Sequence, residues 1–242
     1  MQRADFLNGI YAVASAVPLV GQVPPREEVA GVLAPDSPLA KEAASIALSC
    51  EPPEIFSHSL RSFYFAELIG KAKGISHDVE AVYVASMLHD TGLAAPHMSA
   101  TERFQVDGAN VSRALLERYG IEAARADLVW DAISLHDQNG IARWKRPEVT
   151  LVSAGVSADF GGYLEILKRA DVIAVLEAAP RSNFIPVFLN AIAMAAKRKP
   201  LAIGLTYIAD VAYHLVPGFH LGNFYDEVKG NPFADYGTAG GA

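Results

Sequence analysis

Six residues of this chain carry side chains whose types suit a reaction centre: His58, Arg61, His89, Asp90, His136 and Asp159. His89 and Asp90 close an apolar run over 79–88 and precede Thr91-Gly92. Adjacent helical residues diverge by roughly 100°, yet at a helix end two neighbours can still reach one point. Arg61 follows His58 at i+3, on the same side of a helix. Asp159 stands in the apolar stretch 156–163, where a carboxylate needs a partner. Two imidazoles and two carboxylates in the order His58, His89-Asp90, Asp159 suit a borderline divalent ion, Zn²⁺, Fe²⁺, Mn²⁺ or Ni²⁺, with positions left for water. The bland alternative is a set of helix caps and satisfied core histidines, the imidazolium favoured by a C-terminal dipole. The run of ligand-type residues in one order weighs against it. His136 ends its helix as His89 does and suits a proton shuttle, a substrate contact or a donor behind the ligands.

Asp171, in Arg169-Ala170-Asp171, rivals Asp159. It lies twelve residues on, about three turns along a continuous helix, so the two cannot easily share an ion; Asp159 is the expected ligand. His97, in a proline-containing loop, and Asp107, expected as a helix N-cap, are read as structural. His77, His214 and His220 show no partner pattern.

The elements that must position these groups follow from periodicity and breakers. Residues 4–16 are expected as an amphipathic helix. The apolar run 6–16 with Ala14-Ser15-Ala16 faintly resembles a signal peptide, but Asp5 cancels Arg3 and leaves a weak basic start. Residues 17–38 are proline-rich and expected as a loop. An alanine-rich helix spans 39–50, and Pro52-Pro53 breaks it or opens the next. Helix 54–73, with Ile55, Leu60, Phe63, Tyr64, Leu68 and Ile69 at helical spacing, carries His58 and ends at Gly74. His77-Asp78 opens the helix that finishes at His89, with Gly92 as a stop that tolerates positive φ. A loop over 93–102, helices over 106–119 and 123–136, and a turn at Asn139-Gly140 come next. The short apolar run 148–154 is read as helix, and 157–175 as a helix with a break at Gly161-Gly162. Helices at 183–199 and 205–214 follow. From Pro217 the chain reads as an extended arm packing on the body, with 237–242 disordered.

The fold class expected is all-α: one helical bundle over 39–216, with an N-terminal helical extension and proline-rich connector over 1–38 and an extended tail over 217–242. The chain has 242 residues, 51% of them hydrophobic and 19% charged, enough for one large core. A net charge of −7 argues against a nucleic-acid surface. The single cysteine, Cys50, leaves no internal disulfide and no cysteine-based zinc site, which fits a reducing compartment and a cytoplasmic location. No apolar run reaches the ~18 residues of a membrane span. Apolar composition and an aromatic tail favour a homo-oligomer.

The order His58, His89-Asp90, Asp159 resembles the HD-domain superfamily of metal-dependent hydrolases. Within it the chain is similar to the cyanamide hydratase-like branch, through His58-Ser-Leu-Arg61, Leu88-His-Asp-Thr-Gly92, Arg103-Phe-Gln-Val-Asp-Gly108, Ala132-Ile-Ser-Leu-His136, Gly140-Ile-Ala142 and Asp159-Phe-Gly-Gly162. The likeness covers roughly residues 55–200. It implies an α-helical fold and one metal ion per chain, commonly zinc, held by His58, His89, Asp90 and Asp159. Two departures stand out. The branch often has Glu at the position of Gln105, and hydroxyl residues after the distal histidine, where this chain has Asp137-Gln138-Asn139. Many phosphohydrolases of the superfamily carry a lysine after the His-Asp turn, where this chain has Leu93-Ala94-Ala95.

The expected reaction is hydration or hydrolysis of a small neutral molecule, such as cyanamide to urea. Asp90, His136 and Arg61 are the expected catalytic groups: the first two relay protons, and Arg61 holds the pocket or the ligand carboxylates. Two carboxylate ligands would neutralise a divalent ion, and a helix C-terminus repels anions. A phosphoester phosphohydrolase and a non-catalytic ligand-binding module are the competing classes. Arg61 and Arg103 are the cations that favour the first of these.

Overall fold

The computed structural model describes residues 28–199, 217, 218, 224–230 and 233. The helices expected at 4–16 and 205–214 lie outside the described residues. The fold is all-α. Its one sheet among the described residues is a hairpin of β1 (Glu28–Val29) and β2 (Val32–Leu33), inside the segment expected as a loop. Two-residue strands are too short for alternation to show. Ala30 and Gly31, both at positive φ, turn the hairpin, as a two-residue connection requires.

Helix α1 (Pro38–Cys50) starts at Ser37, whose Oγ accepts the Ala40 N–H at 3.0 Å, and buries Leu39, Ala40, Ala43, Ala44 and Ala47. Helix α2 (Pro53–Lys73) starts with proline at its first turn and ends at Gly74, whose φ of 65° is left-handed. This conformation is one glycine adopts without a Cβ penalty. Helix α3 (Val79–Leu88) is capped by the Asp78 carboxylate on Ala81 N–H and is buried from Ala81 onward.

Helices α4 (Phe104–Arg118), α5 (Ala123–Ser134) and the single turn α6 (Asn139–Ala142) follow. The Asn139-Gly140 turn thus opens a short helix. Asp107 is not the α4 N-cap; Arg103 holds that position. The Asp107 carboxylate instead accepts from Ser99 N–H and pairs with the buried Lys199.

Helix α7 (Pro147–Asp159) is apolar around its circumference and packs most extensively on α2, as a helix buried on all sides must. Gly155 permits the approach: a Cβ there would stand 2.1 Å from the Ser62 carbonyl oxygen. The helix expected over 157–175 is two elements. Gly161 and Tyr163 take φ of 97° and 58°, which no α-helix accommodates. The chain turns there before helix α8 (Arg169–Ala178). Helix α9 (Phe184–Arg198) crosses back near the His-Asp turn. Its Phe184, Phe188 and Ala195 form a second apolar cluster with Leu93 and Met98. The arm after Pro217 contains a helix, α10 (Phe224–Lys229), and Phe233 packs into the main core beside Phe65. Among the described residues no helix is long and apolar enough to cross a membrane.

Candidate metal centre

Three helices end at one place. His89 is the C-cap of α3, His136 comes two residues after α5, and Asp159 is the last residue of α7. His58 reaches the same place from α2 and is buried, as are His89, Asp90, His136 and Asp159. His89 keeps helical dihedrals, while Asp90 takes φ −101°, ψ 0°, the bridge region in which chain direction changes. This turns the Asp90 carboxylate back toward the histidines. Gly92 is not at positive φ, contrary to the expectation of a glycine stop. A Cβ at Gly92 would lie 2.0 Å from the Phe104 carbonyl oxygen and 2.8 Å from Gly108 N. Its role is to let α4 lie against the His-Asp turn.

Each histidine is oriented by its Nδ1. His89 Nδ1 donates to the Ser86 carbonyl at 2.7 Å, and His136 Nδ1 to the Ile133 carbonyl at 2.7 Å. His58 Nδ1 donates to Asp159 Oδ2 at 2.7 Å. With Nδ1 protonated, a neutral imidazole presents a bare lone pair on Nε2. The Nε2 atoms of His58 and His89 stand 3.2 Å apart. Asp90 Oδ2 lies 3.7 Å from the first and 3.4 Å from the second and is buried with no hydrogen-bond partner.

Two lone pairs and an anionic oxygen facing one another repel unless a proton or a cation sits among them. Two nitrogens each about 2.0–2.1 Å from one tetrahedral ion stand about 3.3 Å apart, which the His58–His89 spacing matches. The donor set therefore fits a divalent metal, with His58 Nε2, His89 Nε2 and the Asp90 carboxylate as the atoms that would hold it. His136 Nε2, 3.9 Å from Asp90 Oδ1, faces the same point.

Asp159 is not in this convergent group. It stands one hydrogen bond behind, and both its oxygens are committed. Arg61 donates through Nε to Oδ1 and through Nη2 to Oδ2, each at 2.8 Å, and Arg181 Nη1 donates to Oδ1 at 2.6 Å. Asp159 thereby fixes the tautomer and direction of His58, and two guanidinium groups offset its charge. The neutralisation expected from two carboxylate ligands is not built this way, since Asp90 alone faces the two Nε2 atoms.

Arg61 is fully buried, and its Nη1 also donates to the carbonyls of Ala179 and Pro180. It holds a ligand-orienting carboxylate and does not line the cavity. Asp171 sits in the first turn of α8, apart from the group. His97 does not line the cavity, and His77 pairs with Glu67 at 2.8 Å.

Protonation equilibria follow from burial and these partners. Burial drives the His58 imidazole down to about 4, against the pull of Asp159. Burial, then the charge of His89, lowers His136. Burial alone would lower His89, but the Asp90 carboxylate outweighs it and raises His89 overall. Asp90 is held below the carboxylate range: burial opposes this, and His89, His58 and His136 outweigh burial. Asp159 is likewise depressed, with Arg61 and Arg181 overcoming burial.

The HD domain family model matches residues 55–176, which spans His58, His89-Asp90, His136 and Asp159. The chain belongs to the HD domain family. HD domains are typically metal-dependent hydrolases, in keeping with a donor set shaped for a cation. No curated protein matches the chain.

Beside the metal group lies a cavity of about 560 Å³. His58, His89, Asp90 and His136 line it, and so do Phe160, Phe188, Ile192 and Ala195, with Phe160 and Phe188 against the His58 ring at 5.4 and 6.1 Å between centroids. Arg103, Gln105, Asp137 and Asn139 are also on its walls. The two departures from the cyanamide hydratase-like pattern meet here, for Gln105 Nε2 donates to Asp137 Oδ2 at 2.5 Å.

Sequence reasoning missed Arg181, Phe184 and Phe233. The Arg181 guanidinium lies over the rings of Phe184 and Phe233 at 5.0 and 4.8 Å, and Phe184 stacks on His58 at 4.8 Å. Neither a type pattern nor a spacing marks Arg181, which follows Pro180 in an interhelical loop.

Proposed function

We propose that this HD domain adds water to a small neutral molecule with an unsaturated carbon–nitrogen bond, such as a nitrile, as in the hydration of cyanamide to urea. The observation that carries this is electrostatic. The C-terminal ends of α3, α5 and α7 converge on the metal group, and helix C-termini favour cations and disfavour anions. The cations nearest the ligands, Arg61 and Arg181, are spent on Asp159. Among the described residues lining the cavity the one Lys or Arg is the exposed Arg103, and the exposed Asp137 lines it too. A phosphate, carrying about two negative charges, needs Lys, Arg or a helix N-terminus.

His58, His89 and Asp90 would hold a divalent ion, zinc as the first choice, which would supply a water of lowered pKa, about 7, and Lewis acidity. The chain's residues do the rest. His58 and His89 are held in the Nε2-presenting tautomer by Asp159 and the Ser86 carbonyl. Asp90 rests ionised, so its carboxylate can take up a proton during the reaction. His136, kept neutral by burial, receives or returns a proton at Nε2. One water is consumed: its oxygen bonds to the nitrile carbon, a π pair moves to nitrogen, and both protons end on the product. Arg61 positions Asp159 and touches no substrate.

Arg103, together with the N-terminus of α4 that Arg103, Phe104 and Gln105 bring to the cavity wall, is the observation that favours a phosphoester. Steady-state assays of the metal-loaded protein with cyanamide, simple nitriles, nucleoside monophosphates and a chromogenic phosphodiester decide between them. A nitrile is expected to show the highest kcat/KM. A phosphoester turned over clearly faster than any nitrile overturns the proposal.

A further inference from the structure

The cavity beside the metal group has a polar and an apolar lining. Its volume of about 560 Å³ lies within the range of sites that enclose drug-sized ligands. Cyanamide would occupy a small fraction of it. The apolar lining is Val156, Phe160, Phe188, Ile192 and Ala195, and it begins directly at His58, whose ring Phe160 and Phe188 meet at 5.4 and 6.1 Å. Phe188 and Ala195 are buried, and Phe160 and Phe188 pack at 5.2 Å between ring centroids. The wall is therefore built from packed side chains of α7, the turn after it and α9. An empty apolar space of this kind fits a ligand's hydrocarbon and offers a second ion nothing.

Besides Arg103 and Asp137, the cavity is lined by two neutral amides, Gln105 and Asn139. Gln105 donates its Nε2 to Asp137 and keeps its carbonyl oxygen. Asn139 accepts Ser153 Oγ on its Oδ1 and keeps its amide N–H groups. An amide carbonyl and an amide N–H₂ in one cavity suit a neutral amide-like group.

We infer that the substrate carries an apolar group several carbons long, an alkyl or aryl chain seated between Phe160, Phe188, Ile192 and Ala195, with its reacting carbon toward the two histidines. This rests on reading the site as one for a neutral substrate. It excludes cyanamide itself as the preferred ligand, since cyanamide has no hydrocarbon to bury. Each added methylene that packs on this apolar lining should strengthen binding about fourfold, from the usual burial coefficient. The gain should stop at the chain length that fills the cavity.

The test uses the full-length, metal-loaded protein and two readouts. Calorimetric binding is measured for urea, acetamide, butyramide, hexanamide and benzamide, which represent the product class and need no turnover. Initial rates are measured for the matching nitriles and cyanamide. Affinity is expected to climb about fourfold per methylene from acetamide, with urea weakest, and kcat/KM to climb in parallel. Ile192→Trp, which narrows the apolar lining, should flatten the rise from acetamide to hexanamide. Ile192→Ala should shrink the rise and serves if the tryptophan variant does not fold.

A flat affinity series, or urea as the tightest ligand, overturns the inference. Nitrile turnover independent of chain length overturns it too, while leaving the hydratase proposal standing. A climbing amide series with no nitrile turned over does the reverse: apolar recognition holds and the proposed reaction fails.

Discussion

Arg61→Met tests whether the buried arginine organises the centre. Methionine fills part of the same space and donates nothing. The substitution removes two charge-assisted bonds to Asp159 and two bonds to the carbonyls of Ala179 and Pro180. At about 1.5–3 kcal/mol for each bond to a charged group, the Asp159 pair alone amounts to about 3–6 kcal/mol. Arg181, still 2.6 Å from Oδ1, retains part of the compensation. The expected net loss is about 3–5 kcal/mol, as for other buried pairs deprived of one partner. Against a total stability of about 5–15 kcal/mol this is large but survivable. Urea unfolding should show a lower midpoint with an unchanged slope. The double variant Arg61→Met/Asp159→Asn should lose less than the sum of the single variants, with a coupling of about 0.5–3 kcal/mol. His58 would lose its anchor, so metal affinity should fall with stability. A loss below about 1 kcal/mol, or strict additivity, would refute the assignment of Arg61 as the group holding Asp159.

Four further outcomes follow from the same geometry. His89→Ala should strip most of the metal, and retention of a full equivalent by elemental analysis would show the ion is held elsewhere; Asp159→Asn should weaken metal binding about 10–100-fold through His58, whereas Asp171→Asn should leave it intact, as read by competition with a chelator. Gly92→Ala should cost about 1–3 kcal/mol or more, because its Cβ would meet the Phe104 and Gly108 backbone, and a neutral thermal melt would contradict that packing. Glu51, buried without a hydrogen-bond partner for either carboxyl oxygen, is raised well above the usual carboxylate value, by burial first and the Asp90 charge second, against a lowering by Ser59. A raised folded-state pKa means the folded chain holds the proton longer, so this group lowers stability as pH rises past the unfolded carboxylate value. Glu51→Gln should therefore match the parent in acid and exceed it at neutral pH; identical pH–stability curves would exclude the effect.

What was legible in the sequence was whatever depends on local order. Helical periodicity located α2 and α3, and the short apolar run 148–154, read as helix, lies inside α7. His89 and His136 were readable as helix-terminal groups because each closes an apolar run. What was not legible depends on backbone turns and distant partners. The break expected at Gly161-Gly162 is there, with Gly161 at positive φ, but the left-handed Tyr163 beside it had no signal in the sequence. Gly92 was expected as a conformational stop because glycine serves both needs. Only the approach of Phe104 and Gly108, residues distant along the chain, separates freedom of φ from lack of a Cβ. Asp159 illustrates the same limit, since its residue type and order suit a ligand. Its partners Arg61 and Arg181 come from α2 and the loop before α9.

Two of the three histidines use one local device, which explains why the site forms at helix ends. A helix leaves its last carbonyls without intrahelical donors. A histidine just past the end can turn its Nδ1–H onto the carbonyl three residues back, as His89 does to Ser86 and His136 to Ile133. That bond uses a carbonyl of the last turn, which at Ile133 also accepts the His136 N–H, selects the tautomer and points Nε2 away from the helix. His58, in the first half of α2, has no orphan carbonyl within reach and needs a carboxylate from another helix, Asp159. That carboxylate is buried, so it in turn needs cations, and Arg61 and Arg181 supply them. The chain of requirements runs from one mid-helix histidine to two arginines. It leaves the substrate cavity with little positive charge of its own, which is why the neutral substrate and the architecture of the centre stand or fall together.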